Sequence, residues 1–259
     1  MKSVVLLKMV PDVVEELVIG PDGKSLDIDS VRLILSESDD HALEQALLLK
    51  ERLGGTVAVV TLDSPEVDEV LYTAMAKGAD RAVKITGFDI PPPTRQAAAI
   101  IAGALRSHAG LLPADLILTG SQAIDDLDGL LAPLVAHELG LPYLGILTQI
   151  TPAASLQSAT VIKEFAGGLR GEFEIPLPAV AGVQSAERPP RYVPVAKVRA
   201  AMKTAQIETV EAAEPAGAGM VTVAAMSLPE QSGAAEMLSG APDEVCDKLC
   251  GVLAERGLV

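Results

Sequence analysis

Short apolar runs alternate with stretches of helical period over the first 140 residues. Val4-Val5-Leu6-Leu7 has the unbroken apolarity of a strand buried on both faces. Ser38, Asp39 and Asp40 offer caps for a helix carrying Leu43, Ala46, Leu47 and Lys50, and Gly54-Gly55 stops it. Val57 to Leu62 is the next strand. Ser64-Pro65-Glu66 predicts a helix start with proline at the first helical position, and Val67, Val70, Leu71, Ala74 and Gly78 follow on one face. Ala82 to Ile85 reads as a third strand and Pro91-Pro92-Pro93 as a rigid loop. A helix from Thr94 to His108 ends at Gly110, Asp115 to Thr119 is a fourth strand, and a helix from Gly129 to Leu139 stops at Gly140. Strands alternating with helices of this length build βαβ units, hence an α/β fold whose mostly parallel sheet is covered on both faces.

Past Gly140 the pattern changes. Leu144 to Ile150, Thr160 to Phe165 and Leu169 to Ile175 read as strands, the last two joined through Gly167-Gly168 as an antiparallel edge hairpin. Pro176, Pro178, Pro189, Pro190 and Pro194 then punctuate an extended region. From Thr209 to Ala241 the chain is rich in Ala, Gly, Glu and Pro with little periodicity, and it closes on a short amphipathic helix carrying Val245, Leu249, Val252 and Leu253. Two parts are expected: an α/β domain over 1–208, and an extended C-terminal arm with its terminal helix over 209–259. The arm has little to pack on within the chain, so it is expected to lie on a partner subunit; the alternative is a tail folded back on its own domain.

Charge narrows the classes of ligand. A formal charge of −15 opposes binding of nucleic acid by phosphate neutralisation and docking on an anionic membrane. The acidity serves solubility, or steers basic partners. No run of about 18 residues is free of charges and helix breakers, so no membrane insertion is expected. The apolar run Val4 to Leu7 is too short for a signal peptide and is followed by Lys8, Asp12 and Glu15, which points to the cytoplasm. Cys246 and Cys250, four apart, fit one face of a short helix as free thiols, and His41, His108 and His137 are too scattered to form a metal site.

In an open parallel sheet, ligands bind beyond the carboxyl ends of strands. Three loops there are informative: Lys8 to Asp12, Ser36 to Asp40, and Gly120 to Leu131. The third leaves a buried strand and opens a helix, whose first N–H groups form an anion site; alternatively its aspartates only cap that helix. Lys8 can reach a phosphate or be an ordinary surface lysine. Asp125, Asp126 and Asp128 can hold a cation or act as solvated caps. The chain has no P-loop, nucleophile elbow, paired metal-ligand spacing or Rossmann glycine triplet, and its loops supply no acid–base or nucleophile set. A subunit with no catalytic residues of its own is expected.

The order of motifs resembles a known family. Lys8-Met9-Val10-Pro11-Asp12, Ala42-Leu43-Glu44-Gln45-Ala46 with Leu49-Lys50-Glu51, and Ala74 to Ala82 come first. Asp115 to Asp125, Lys163-Glu164 with Gly167-Gly168, Leu177-Pro178-Ala179-Val180 and Pro190-Arg191-Tyr192 complete the series. No single motif suffices, but their order and spacing over residues 1 to about 208 resemble the electron transfer flavoprotein beta subunit. The resemblance implies an adenine-nucleotide-binding-like α/β fold, paired with an alpha subunit that holds the redox-active FAD. It implies an electron carrier between flavin dehydrogenases and a quinone-linked or other redox acceptor. It also implies a structural AMP in this subunit, a pocket that bifurcating members give to a second FAD. By position the pocket comprises the Leu6 backbone and Lys8, Ser36 to Asp39, Gln122, Ala123, Ile124 and Asp125, then Asp128, Gly129, Leu130 and Leu131. Val195 takes the place of the family's partner-recognition leucine.

The chain departs from the family at the pocket. Ser36 replaces Asn, Ser121 replaces Lys or Arg, and Leu130-Leu131 stand where phosphate-binding side chains are usual. Asp128 adds a like charge near any phosphate. Backbone contacts to AMP survive these changes, whereas a diphosphate-bearing FAD meets too few donors. Two other classes are a stand-alone ATP-binding stress-type sensor and an adenylate-using enzyme of the ATP-pyrophosphatase type. The first wants glycines after the fourth strand, and the second a phosphate loop where Met9-Val10-Pro11 stands.

Overall fold

The computed structural model describes residues 1–27, 30–88, 92–126, 129–213, 223–229 and 235–258. The chain divides into two compact units, Met1–Ala224 and Ala225–Val259.

In the first unit β1 (Lys2–Leu7) and the short β2 (Met9–Pro11) and β3 (Leu33–Leu35) precede α1 (Glu37–Leu53). There follow β4 (Thr56–Leu62), α2 (Val67–Lys77), β5 (Arg81–Thr86), α3 (Thr94–Ser107), β6 (Leu116–Gly120) and α4 (Leu131–Leu139). The second half adds β7 (Tyr143–Pro152), β8 (Ser158–Glu164), β9 (Arg170–Pro176), β10 (Ala179–Val183), α5 (Val195–Thr204) and β11 (Ile207–Glu211). One nine-stranded sheet runs β11-β5-β4-β1-β6-β10-β7-β8-β9, and β2 pairs antiparallel with β3 beside it. All neighbours from β11 to β7 are parallel; β8 and β9 form the antiparallel edge hairpin.

Strand alternation sorts the core into two layers. Val5 and Leu7 of β1 pack with Leu43 and Leu47 of α1 and Leu71 of α2, while Val4 and Leu6 pack with Ile101 and Leu105 of α3 and Val135 of α4. Each such side chain, fully buried, contributes about 1.5–3 kcal/mol. The apolar runs of β1, β4 and β6 follow from this arrangement, because strands covered on both faces have no solvent side to mark with polar residues.

Several expectations need correction. Helix α2 begins at Val67 rather than at Pro65: Glu66 has φ 61°, and Ser64 to Glu66 form a turn. Helix α4 begins at Leu131, because Gly129 at φ 60° is left-handed and belongs to the loop. The proline-punctuated stretch after Pro176 is not simply extended; it contains β10, inserted between β6 and β7, and α5. β11 carries the sheet through Glu211, past the boundary expected at 208. It is fastened by Glu208, which accepts from Arg81 Nε at 2.8 Å and meets His108 Nε2 at 2.8 Å. The Arg81 hydrogen bonds, followed by that of His108, bring the Glu208 carboxyl down to about 2 despite partial burial. Pro91, and residues 214–222 and 230–234 of the expected arm, lie outside the described residues.

In the second unit α6 (Pro242–Glu255) carries the expected apolar stripe, with Val245, Val252 and Leu253 half-buried and Leu249 exposed. Cys246 and Cys250 are free and exposed on it. No described helix is long and apolar enough to cross a membrane.

Candidate ligand and partner sites

The chain winds from β1 through α1 to β4 and β5 on one side, then returns through α3 to β6 on the other. The strand order therefore switches direction between β1 and β6, where ligands of doubly wound sheets bind. Asp39, buried in the first turn of α1, spans that gap. One carboxylate oxygen accepts from Lys8 N at 3.0 Å, beyond the end of β1, and the other from Gly120 N at 2.5 Å, at the end of β6. Desolvation pushes its carboxyl up to about 7, against the Gly120 and Lys8 amides, the Lys8 charge and the Ser36 hydroxyl. Position 120 admits only glycine: a Cβ there would lie 2.1 Å from Ser38 Oγ and 2.7 Å from Asp39 Oδ1.

The three expected loops meet around this staple. Ser38 Oγ donates to the Gln122 carbonyl at 2.9 Å and lies 3.2 Å from Ser36 Oγ. Lys8 Nζ pairs with Asp125 Oδ1 at 2.7 Å, each side chain 34% exposed, so the Lys8 charge already has a carboxylate partner. Gln122 Nε2 donates to the Asp126 carbonyl at 2.7 Å. Lys8, Ser36, Asp39, Gln122 and Asp125 are thus brought together, with Ala123 half-buried among them and Ile124 exposed. Leu6 sits one residue before the end of β1 with its side chain in the core of α3 and α4, leaving only its main chain to a ligand. Gly129 and exposed Leu130 lead into α4, Leu131 packs inward against that core, and Asp128 lies outside the described residues. The N-cap residue of α4, Leu130, makes no capping hydrogen bond with its own side chain.

Two cavities flank the staple. A cleft of about 600 Å³ runs along the β2–β3 side, between Val10 to Val14, Ile34 to Ser38 and Ser121 to Ile124. A smaller apolar slot of about 110 Å³ opens at the ends of β1 and β4, walled by Met9, Phe88, Ala97, Ile101 and Leu131. Ser64 lines it, and its hydroxyl oxygen is buried with no hydrogen-bond partner among the described residues. Sequence reasoning missed this slot, since the Ser64-Pro65-Glu66 signal reads as a helix cap.

A second functional element also emerged only in three dimensions. The segment from Gln184 to Tyr192 is sewn to α1: His41 Nδ1 accepts from Ala186 N at 3.2 Å, and Gln45 Oε1 accepts from Glu187 N at 3.1 Å. Arg191 donates through its main-chain N to Glu44 Oε2 at 3.0 Å, through NH2 to Glu44 Oε1 at 2.8 Å, and through NH1 to Glu51 at 2.6 Å. Burial alone would raise the Glu44 carboxyl, but the hydrogen bonds of Arg191 and the charges of Arg191 and Lys77 hold it below the usual range. Two sequence motifs, Ala42 to Ala46 and Pro190-Arg191-Tyr192, are therefore one contact. It fixes the entry to α5, where Tyr192 is 83% and Val195 60% exposed.

Among the described residues no group of three or more His, Cys, Asp or Glu side chains could hold a metal ion. The architecture is that of an open, doubly wound α/β protein with its loops gathered at the switch point. The chain belongs to the electron transfer flavoprotein family: the electron transfer flavoprotein domain matches residues 26–215. It is 30% identical to the electron transfer flavoprotein subunit beta of Methylophilus methylotrophus, over 98% of both chains. It is 28% identical to the subunit beta of Bacillus subtilis over the whole of both, and 31% identical to that of Syntrophomonas wolfei over 88% of this chain and 86% of the relative.

Proposed function

We propose that this chain is the beta-type subunit of a heterodimeric electron transfer flavoprotein, a carrier that moves electrons from flavin dehydrogenases to a quinone-linked or other redox acceptor. The observation that carries the reading is the full-length similarity to subunits of that name. The chemistry of the loops agrees. Asp39 spends both oxygens on main-chain amides and Lys8 is tied to Asp125, which leaves no nucleophile with a base beside it among these residues.

In this reading the redox-active FAD is held mainly by the partner alpha subunit, and supplies the electron-carrying chemistry of the complex. This chain contributes an AMP site at the switch point. The apolar slot and the orphaned Ser64 hydroxyl suit the flat, hydrogen-bonding adenine ring. Main-chain groups from Gln122 to Asp125 and the start of α4 suit one phosphate. The side chains of Leu130 and Leu131 supply no donors for a second. The fit is to AMP and not to FAD. Val195 serves as the partner-recognition anchor, and the arm beyond β11 lies against the alpha subunit.

The test is electron relay. The co-purified heterodimer should carry electrons from a reduced flavin dehydrogenase to an artificial acceptor, and this chain alone should carry none. Turnover of ATP or a thioester by the isolated chain, abolished by one loop substitution, would contradict the carrier reading.

A further inference from the structure

The switch-point loops are richer in acid than a phosphate site needs. Lys8 is the only cation among the described residues that line the Ser64 slot and a neighbouring cavity of about 20 Å³ at the foot of α4. Against it stand Asp39, Asp63 and Asp126 in those linings, and Asp125, which already pairs with Lys8 at 2.7 Å. Asp39 and Asp126 are buried. A nucleoside monophosphate would add further negative charge to this group, where poor solvation strengthens repulsion. The AMP reading therefore leaves an electrostatic conflict that some group must relieve.

Asp39 is placed to relieve it. Its oxygens hold the Lys8 and Gly120 amides, and the residue lines the 20 Å³ cavity together with Gln122, Gly129 and Leu131. Asp39 therefore belongs both to the staple and to the cavity at the phosphate loop. Several other charged groups on the elements packed here are engaged elsewhere or solvated. On α1, Asp40 pairs with Lys77, Glu37 is exposed, and His41 Nδ1 accepts from Ala186 N. Just past β4, Asp63 lies 3.5 Å from Lys84, and the first turn of α4 has no acid. Desolvation has already pushed the Asp39 carboxyl up to about 7, against its two amides and the Lys8 charge. A negative charge arriving nearby shifts it further the same way.

We infer that Asp39 makes the nucleotide site proton-linked: when a nucleoside monophosphate occupies the switch point, the Asp39 carboxylate takes up one proton from solvent. The added proton removes a charge from the wall of the site and turns an acceptor-only group into one that also carries an O–H donor. The occupied site then holds a proton that the empty site releases above neutrality, so affinity falls as pH rises through about 7. The inference rests on the AMP reading of the site, and adds to it regulation by pH.

The test is calorimetric titration of AMP into the two-subunit complex, depleted of nucleotide on charcoal, in buffers of different ionisation enthalpy. At pH 8 a phosphate monoester, with its second pKa at about 6, is already doubly ionised, and about half a proton or more should be taken up per AMP bound. The dissociation constant should rise about threefold to fivefold between pH 7 and pH 8. Adenosine, which brings no phosphate, should bind with no proton uptake and with an affinity independent of pH. The Asp39→Asn complex should bind AMP with neither effect; should that variant not assemble, the comparison of AMP with adenosine on the wild type still decides. AMP binding to the wild type without proton uptake would overturn the linkage. So would equal uptake with adenosine, or wild-type uptake retained in Asp39→Asn. If neither AMP nor adenosine binds, it is the AMP reading itself that falls.

Discussion

Asp39 and Gly120, 81 positions apart, are joined by a 2.5 Å hydrogen bond from the Gly120 amide to a buried carboxylate that also accepts from Lys8 N. The staple draws β1, β6 and α1 to one point, so it decides where the switch-point loops lie. Asp39→Ala removes the acceptor of two sheltered amides, each costing about 1–3 kcal/mol when left unpaired. The expected loss is on the order of 3 kcal/mol in denaturant unfolding, with the loops around Gln122 becoming susceptible to protease.

The same residue has a pH signature. With its folded pKa at about 7 and an unfolded value of about 3.9, the folded protein keeps a proton that the unfolded chain has lost. Stability therefore falls as pH rises through the window from about 4 to 7, and the cost is complete above it. Asp39→Asn removes that titration. Between pH 5 and pH 8 the wild type should lose on the order of 2 kcal/mol relative to Asp39→Asn. A difference that is constant, or that grows in favour of the wild type, would contradict the assignment.

Arg191→Ala leaves the Glu44 carboxylate inside the protein without its partner. Breaking a buried pair from one side costs about 3–5 kcal/mol, and here the half-exposed position of Arg191 brings the expectation to about 2–4 kcal/mol. Arg191→Lys should recover only part of this, since an ammonium cannot reproduce the forked contact with Glu44 and Glu51. The measurement is thermal or urea unfolding at fixed protein concentration. Full rescue by lysine would show that charge alone holds the segment.

Ile146 has φ 62°, a left-handed backbone that a β-branched side chain rarely adopts, and the side chain is 44% exposed. It lies between Gly145 and Leu147, beside the register shift between β7 and β10. Ile146→Gly should stabilise the protein by about 0.5–1 kcal/mol, because relief of the αL penalty exceeds the little burial that is lost. A loss of stability would mean that the isoleucine packs on something that compensates its backbone.

The alternation of strands and helices through residue 140 was legible because burial on both faces leaves continuous apolar runs in β1, β4 and β6, and because Gly54 and Gly140 mark helix ends. The hairpin of β8 and β9 was legible from its period and its glycine pair. β10 was not: Ala179 to Val183 is five small or branched residues behind two prolines, and it becomes a strand only by fitting between β6 and β7. α5 was hidden in the same way, since Pro194 reads as a breaker but stands at the N-cap, where its missing N–H costs nothing. The candidate site was legible as three loops through the family's motif order. The Asp39 staple, the Ser64 slot and the Glu44–Arg191 contact depend on pairings across 31 to 147 positions that no local pattern encodes.

The central claim is tested most directly by counting nucleotides in the intact complex. Co-purified heterodimer is denatured, and the released FAD and AMP are quantified by chromatography against protein. The account predicts one FAD per heterodimer and AMP as the only nucleotide taken by this chain, because the slot at Ser64 accepts an adenine while the side chains of Leu130 and Leu131 offer no donors to a diphosphate. Two FAD per heterodimer, or FAD retained by this chain in the absence of its partner, would contradict it.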